Sequence, residues 1–307
     1  MNIGVEIGAT KLLAVLGDGC GRIEREVRET ADHEGGAEAI RDQLRAMVRS
    51  LTRTAEVEAI GVGFGGPVDE ATGIVVTSHQ VAGWDGFPLA DWFCDEFGMP
   101  CRLGNDTDVA CVGESAAGAG RGCRCVFYTN IGSGIGGALV REGELYRGPR
   151  GAMEFGHTWI YSVLDRRWDH VEYLCSGWAI GRRAAGMAAG ETSGILHDLC
   201  EADTQRIDAP MVLEAWRRGD PCATTLMDDV LDALCHALCN VVSMLNPDVI
   251  VIGGGLAQAG DLFLDAVRGV VDREVFVPFK DNFRIVPAAL GEKAVPVGAL
   301  ILAECGA

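Results

Sequence analysis

Two separated stretches share one pattern: residues 5–15 (VEIGATKLLAV) and residues 128–140 (YTNIGSGIGGALV). Each is a short apolar run, a turn of small residues that includes a hydroxyl, Thr10 or Ser133, and a second apolar run. This order predicts a strand, a tight glycine turn and a second strand. The backbone N–H groups of such turns point outward without side chains in the way, so they suit phosphate oxygens. Two matched copies predict that a nucleoside triphosphate is held from both sides.

The glycine spacing of residues 132–137 and 61–66 also matches the dinucleotide-binding fingerprint. That fingerprint requires a helix directly after the turn, but a strand-like segment follows Gly137 and a proline follows Gly66. The chain has no Gly-Lys dipeptide, which excludes a Walker-type phosphate loop. A plain β-turn remains the alternative for either hairpin taken alone.

Composition limits the classes of protein that the chain can represent. Its 307 residues suffice for one large or two medium domains, and the net charge of −18 argues against a nucleic-acid surface and against anionic membranes. No apolar run approaches the ~20 residues of a membrane helix, and the start lacks a basic leader region. We therefore expect a cytoplasmic protein whose 12 cysteines are mostly buried thiols rather than disulfide or zinc ligands.

The order of predicted elements indicates a repeated plan, in which a strand meander is followed by crossover helices. It predicts an α/β protein of two domains with a cleft between them. We place a small N-terminal domain at residues 1–116 plus 293–307 and a larger domain at residues 117–292. In the second half, residues 157–172 are rich in tryptophan and charge. Asp165, Asp169 and His170 in this region could form a metal site, but we expect them to lie in a solvated loop.

Five motifs in this order resemble the ROK family of bacterial sugar kinases and sugar-responsive repressors. They are the first glycine turn with its Thr-Lys pair, Asn-Asp at 105–106, the second glycine hairpin, EFGH at 154–157 and PDVIVIGGG at 247–255. The resemblance covers residues 3–304. It implies the actin/hexokinase-like (ribonuclease H-like) ATPase fold, with ATP and Mg²⁺ as cofactors.

The resemblance also implies roles for individual residues. Asp106 falls at the position of the catalytic base, and Glu6 at that of an acidic residue that orients hydrated Mg²⁺. The other implied positions are Asn105, Glu154, His157, Glu172, Gly66 and His79 for the sugar; Gly8, Thr10, Lys11, Gly132, Ser133 and Gly134 for the phosphates; and Gly254 and Gly255 for the adenosine.

These residue types suit phosphoryl transfer, because a sugar hydroxyl is a poor nucleophile that needs a carboxylate to accept its proton. Asp106 lies where a predicted strand ends and a helix begins, a rigid place from which to direct a side chain. Its alternative interpretation is a helix N-cap, for which Asn105 and Asp106 are both suitable. Glu154 and His157 could alternatively belong to one exposed helical turn, although we expect a buried loop.

The chain departs from the family pattern in ways that affect metal and sugar binding. The family's structural zinc uses the histidine at the position of His157 and three cysteines soon after it, but no cysteine follows here before Cys175. We therefore expect no structural zinc, with packing of Trp159, Tyr161 and Trp168 in its place. Asp108 replaces the usual asparagine and could raise a carboxyl pKa near Asp106.

The leading hypothesis is an ATP-dependent hexose kinase that acts on the O6 hydroxyl of a glucose-like sugar. The segment that includes His79 replaces one that often offers an asparagine to the sugar, so N-acetylmannosamine or fructose remain alternative substrates. A sugar-binding protein that has lost kinase activity is a further alternative. A repressor is disfavoured, because the first hairpin begins at residue 3 and the net charge is −18. We expect a homodimer.

Overall fold

The computed structural model describes residues 1–8, 10–53, 55–78, 81–148, 151–190 and 193–304. The first part of the chain is a strand meander followed by helices that alternate with strands. Its elements in order are β1 (Asn2–Ile7), β2 (Lys11–Gly17), β3 (Ile23–Thr30), α1 (Gly36–Thr52), β4 (Ala59–Phe64), β5 (Val68–Asp69), β6 (Ile74–Val75), α2 (Leu89–Phe97), β7 (Cys101–Asn105) and α3 (Asp106–Ala117).

The second part begins with strands, continues as helices and ends with two strand-helix units. Its elements in order are β8 (Cys125–Ile131), β9 (Ile135–Arg141), β10 (Glu144–Leu145), β11 (Trp159–Ser162), β12 (Arg167–His170), α4 (Val171–Cys175), α5 (Gly177–Ala188), α6 (Ile195–Leu199), α7 (Ala209–Arg217), α8 (Pro221–Leu245), β13 (Val249–Gly253), α9 (Asp261–Glu274), β14 (Arg284–Pro287) and α10 (Ala294–Glu304).

The predicted strand-turn-strand units are present at both glycine turns. β1 and β2 pair antiparallel on either side of the first turn, and β8 and β9 are neighbours on either side of the second. One five-stranded sheet has the order β3-β2-β1-β4-β7 and the other β10-β9-β8-β13-β14. Since a strand rather than a helix follows each turn, the rejection of a dinucleotide fingerprint at residues 132–137 is confirmed.

Two compact units divide the chain. The first comprises Met1–Tyr128, Ala138–Ala152 and Ala288–Ala307, and the second comprises Thr129–Gly137 and Met153–Pro287. Residues 117–128, 138–152 and 288–292 group with the first unit, whereas we placed them in the larger domain. The domain boundaries at residues 116 and 292 stay a prediction.

The core of the first unit forms on both faces of its sheet. Helix α1 has an apolar face that packs over β2 and β3, and its buried residues include Ile40, Leu44 and Met47. On the other face, α10 packs against β1, β4 and α3. Asn2, which is buried, donates from Nδ2 to Glu304 Oε2 at 2.9 Å and so ties the first strand to the last helix.

Glycines let the backbones of these elements approach each other unusually closely. A Cβ on Gly61 in β4 would lie 1.9 Å from the carbonyl oxygen of Ala299, and a Cβ on Gly298 would lie 1.8 Å from that of Val109. Real Cβ atoms do not reach such distances. Residues 61 and 298 must therefore be glycine for α10 to lie against β4 and α3.

The solvated loop that we expected at Asp165, Asp169 and His170 is wrong for Asp169 and His170, which lie in β12 of the antiparallel β11–β12 hairpin, whereas Asp165 lies in its turn. Trp159 pairs with His170 and Ser162 with Arg167. The ring of Tyr161 packs edge-on to Trp168 with centroids 5.7 Å apart, yet Trp159 and Trp168 remain 61% and 62% exposed. The aromatic rings thus contact each other on the surface and do not form a buried core.

Across the described residues, no helix combines the length and the apolar character that a bilayer crossing requires. The longest one, α8, carries Asp228, Asp229 and Asp232 within its span.

The close glycine contact predicts a large cost for one added methyl group. We expect Gly298→Ala to lower the free energy of unfolding by about 1–3 kcal/mol, because the Val109 carbonyl blocks its Cβ. Gly269 in α9 is the matched control: nothing lies within 4 Å of its Cβ position, so Gly269→Ala should raise that free energy by about 0.5–1 kcal/mol. Urea denaturation measures both, and a Gly298→Ala protein as stable as the wild type would contradict the packing described.

Candidate active site

The ends of three parallel strands bring the predicted groups of the first unit to one sheet edge. Ile7 of β1 pairs with Phe64 of β4, which pairs with Asn105 of β7, so the strands end level with each other. The N–H of Gly65 donates to the carbonyl of Ile7 at 2.9 Å and continues this alignment beyond the strands. Ligands of open α/β sheets bind at this carboxyl edge.

Asn105 and Asp106 divide the two roles that the sequence left open. Asn105 is the N-cap of α3, since its Oδ1 accepts the Thr107 N–H at 2.9 Å, while its Nδ2 donates to the Gly66 carbonyl at 3.1 Å. Asp106 Oδ1 accepts the same Thr107 N–H at 2.7 Å. Among the residues that the structure describes, none donates a hydrogen bond to Asp106 Oδ2, which lies on the side of Gly65.

Burial raises the pKa of Asp106 above its ordinary value, against the lowering effect of the Thr107 hydrogen bonds. A raised carboxyl pKa near Asp106 was expected from Asp108, but desolvation is its cause. The charge of Asp108 acts instead on the Cys111 thiol, whose pKa is raised mainly by burial and secondarily by Asp108. Asp106 is therefore a carboxylate that gains a proton more readily than a solvated one.

Glu6 and Lys11 form an ion pair at the same edge. Lys11 Nζ lies 3.0 Å from Glu6 Oε2, and the side chains are only 19% and 13% exposed. Burial raises the pKa of Glu6, Lys11 lowers it, and the nearby charge of Asp106 raises it further. The buried carboxylate of Glu6 is thus partly neutralised by Lys11 and lies within the field of a second carboxylate, Asp106.

The second unit brings two glycine turns together. The N–H of Leu256 donates to the carbonyl of Ile131 at 3.1 Å, and Gly254 has φ +84° with its Cβ position 2.4 Å from that same carbonyl oxygen. The turn of residues 132–134 is exposed at Ser133, and Gly255 is exposed as well. Both turns that we predicted to contact the nucleotide in this unit therefore include an exposed residue.

The EFGH segment is a single 3-10 turn rather than the buried loop that we expected. Phe155 and Gly156 are buried, whereas Glu154 and His157 are exposed. A Cβ on Gly156 would lie 2.1 Å from the carbonyl oxygen of Ile135, so only glycine lets this turn pack against the start of β9. The packing presents Glu154 and His157 at the surface from a fixed backbone.

Glu172 links the hairpin to the second glycine turn. Its Oε2 accepts the N–H of Ile135 at 2.8 Å, directly after the turn of residues 132–134. The sequence motifs do not indicate this hydrogen bond, because it joins residues 37 positions apart. The motifs also do not indicate the buried ion pair between Arg183 and Asp229. An aspartate among the apolar residues of α8 could have indicated it, because a buried carboxylate needs a partner.

The structure places Glu6, Lys11, Gly66, Asn105 and Asp106 at the first unit's sheet edge, with Gly8 and Thr10 in the adjoining turn. His79 lies outside the described residues. In the described ranges, no group of three or more His, Cys, Asp or Glu side chains is arranged to hold a metal ion. Asp165 and Asp169 each pair with an arginine, Arg183 and Arg167. The expectation of no structural zinc stays a prediction.

Comparison with protein-family models matches residues 2–305 to the ROK family. A glucokinase from Thermotoga maritima is 28% identical over 306 residues, covering 97% of this chain and 95% of that protein. A putative xylose repressor from Caldicellulosiruptor is 25% identical and is covered over 77% of its length.

A solved structure has the same fold. The ROK family glucokinase from Streptomyces griseus, crystallised with glucose and AMPPNP, superposes with a TM-score of 0.81 at 31% identity, covering 99% of each chain. The predicted fold is confirmed: it is the actin/hexokinase-like ATPase fold.

The Glu6–Lys11 pair predicts a stability effect that is independent of any ligand. We expect Lys11→Met to lower the free energy of unfolding by about 1–3 kcal/mol, because it leaves the Glu6 carboxylate buried without a partner. The double variant Glu6→Gln/Lys11→Met should recover most of the loss. Lys280→Met, which removes an exposed pair with Asp272, is the control and should cost under ~1 kcal/mol. A Lys11→Met protein no less stable than this control would contradict the prediction.

Proposed function

We propose, from the premise that this chain belongs to the ROK family, that it transfers the γ-phosphoryl group of ATP to the O6 hydroxyl of a glucose-like hexose. Asp106 is the general base that accepts the hydroxyl proton. The glucokinase relatives support a sugar kinase. The position of Asp106 directly after the end of β7 and its burial support its role as the base.

The observation that carries the proposal is the state of the Asp106 carboxylate. Its Oδ1 is fixed by Thr107, while Oδ2 has no donor among the described residues and lies 3.4 Å from the position that a Cβ on Gly65 would occupy. A base needs one oriented oxygen with an unused lone pair. A pKa raised by burial makes this oxygen a better proton acceptor than a solvated aspartate.

The other predicted residues take roles that match their chemistry. Asn105 and Gly66, joined by a hydrogen bond, lie beside Asp106, and Glu154, His157 and Glu172 offer directed hydrogen bonds to sugar hydroxyls. The turns at residues 8–11, 132–134 and 254–255 offer N–H groups to the nucleotide. Glu6 is suited to hold a water of Mg²⁺, an ion that neutralises phosphate charge when bound.

A second candidate function is a sugar-binding protein without kinase activity. The specific observation that favours it is the Glu6–Lys11 ion pair, because a lysine that neutralises Glu6 competes with a hydrated cation for the same carboxylate. Other substrates, N-acetylmannosamine or fructose, remain within the kinase proposal. The repressor alternative is disfavoured by the net charge of −18, which repels nucleic acid. A cytoplasmic homodimer is part of the proposal.

The test is phosphorylation of a panel of hexoses with Mg-ATP, measured as ADP release by wild type and Asp106→Asn. Loss of the base should lower kcat by about 10²–10⁴-fold on the accepted sugar. The fold should persist. Because the pKa of Asp106 is raised in the folded state, its ionised form lowers stability at neutral pH, so Asp106→Asn should melt no lower than wild type.

Asp108→Asn is the matched control, since it removes a carboxylate two residues away and should keep most of the activity. An Asp106→Asn enzyme that retains more than a few per cent of wild-type turnover would rule out Asp106 as the base. If wild type releases no ADP with any hexose yet binds one tightly in calorimetry, the second candidate function is favoured.

The raised pKa of Asp106 also predicts the acid limb of the pH profile. The base acts as the carboxylate, so kcat/KM for the hexose falls as the pH drops through the pKa of Asp106 in the sugar-free enzyme. We expect the midpoint of this limb above about 3.9, the ordinary value for aspartate. The measurement is kcat/KM for the hexose over the pH range in which the protein stays folded. A limb at or below the ordinary value would contradict the assignment.

A further inference from the structure

The β11–β12 hairpin is the segment that joins His157 to Glu172. Both residues lie at its open end, where the N–H of Val171 donates to the carbonyl of Thr158 at 3.0 Å. The ring of His170, the last residue of β12, meets the ring of His157 edge-on with centroids 5.5 Å apart. The alignment of the two strands therefore decides how His157 and Glu172 lie relative to each other.

The turn end of the hairpin is fixed by one buried carboxylate of α8. Asp229 Oδ2 accepts the hydroxyl of Ser162 at 2.8 Å, and Oδ1 accepts the N–H of Leu164 at 2.8 Å. Arg183 also donates from Nη2 to Asp229 Oδ2. The Asp229 side chain is 5% exposed and that of Arg183 6% exposed. A side chain of a distant helix thus sets the position of the turn.

Arg183 connects this turn to the helix that carries Glu172. Its Nη1 donates to the carbonyl of Leu174 in α4 at 3.0 Å, and its Nε lies 3.3 Å from Asp165 Oδ2 in the hairpin turn. One guanidinium therefore contacts the hairpin turn, α8 and α4 at once. Because its donor groups are fixed in a planar fork, these three contacts determine each other's directions.

The hydrogen bonds and ion pairs of Arg183 and Asp229 contribute more to the orientation of the hairpin than to the stability of the fold. Two buried charges cost several kcal/mol to desolvate, and well-packed apolar residues often stabilise such a site equally well. Burial would raise the pKa of Asp229, but the Leu164 N–H, Arg183 and Ser162 together hold it below its ordinary value. Apolar side chains at these positions could fill the space, but they could not form the directed hydrogen bonds that fix the register of β11 against β12.

We propose that Arg183 and Asp229 are positioning residues of the sugar site, which hold His157 and Glu172 in register by fixing the turn of the hairpin between them. This inference rests on the proposed function, in which His157 and Glu172 contact the sugar. Neither Arg183 nor Asp229 touches a substrate in this role.

The test compares Asp229→Asn with Asp228→Asn, which changes the neighbouring exposed aspartate of the same helix. Asp229→Asn should raise KM for the accepted hexose about tenfold or more, while KM for ATP stays within about twofold. It should also speed amide hydrogen exchange at Leu164, Val171 and Ile135, whose N–H groups lie along the path from the turn to Glu172. Asp228→Asn should change none of these.

A second variant separates positioning from folding. Arg183→Met/Asp229→Leu leaves no unpaired charge buried at this pair, so it should be more stable than Asp229→Leu alone and stay folded under assay conditions. Its KM for the hexose should stay raised, because the Ser162 hydroxyl and the Leu164 N–H have lost their acceptor. A folded variant with wild-type KM and wild-type exchange would overturn the proposal. If wild type phosphorylates no hexose, the proposed function fails, and amide hydrogen exchange then tests whether Arg183 and Asp229 fix the hairpin. Faster exchange in Asp229→Asn supports that role, and unchanged exchange overturns it.

Discussion

The direct contact between backbones in the first unit is the constraint on which its geometry depends. Gly61 in β4 and Gly4 in β1 face the carbonyls of Ala299 and Pro296, and Gly298 faces that of Val109. Helices separated by side chains can slide and repack, but backbones in contact cannot. The position of α3 against the sheet is therefore fixed, and with it the place of Asp106 at the carboxyl edge.

Four carboxylates are held in four different ways in this chain, and the differences account for their roles. Glu114 is fully buried and accepts backbone N–H groups from Ala119, Ala289 and Leu290. Asp229 is held by an arginine and Glu6 by a lysine. Asp106 receives only the Thr107 donors among the described residues, both on Oδ1, so its Oδ2 keeps unused acceptor capacity. Reactivity follows from what the surroundings leave unsatisfied.

Local patterns predicted the strand-turn-strand units and the end of a strand and start of a helix at Asp106, because neighbouring residues specify them. The hairpin of residues 159–170 escaped prediction, since its outward aromatic rings and its charges resemble a solvated loop in sequence. Its anchor is Asp229, which lies 67 positions from Ser162, and no local rule joins the two. Likewise, nothing in the local sequence indicated that residue 298 must be glycine to make room for the carbonyl oxygen of Val109. Tertiary contacts decide what local propensity leaves open.

The path of the chain through the first unit also determines the order in which it can be completed during synthesis. The strands β1 and β4 end by Phe64, but the helix that covers their glycine face is α10, which ends at Glu304. The ribosome thus makes all of Met153–Pro287 before that face can be closed. Until then the face of the sheet that α10 covers stays open, so the second unit is an insertion that is synthesised within an unfinished first one.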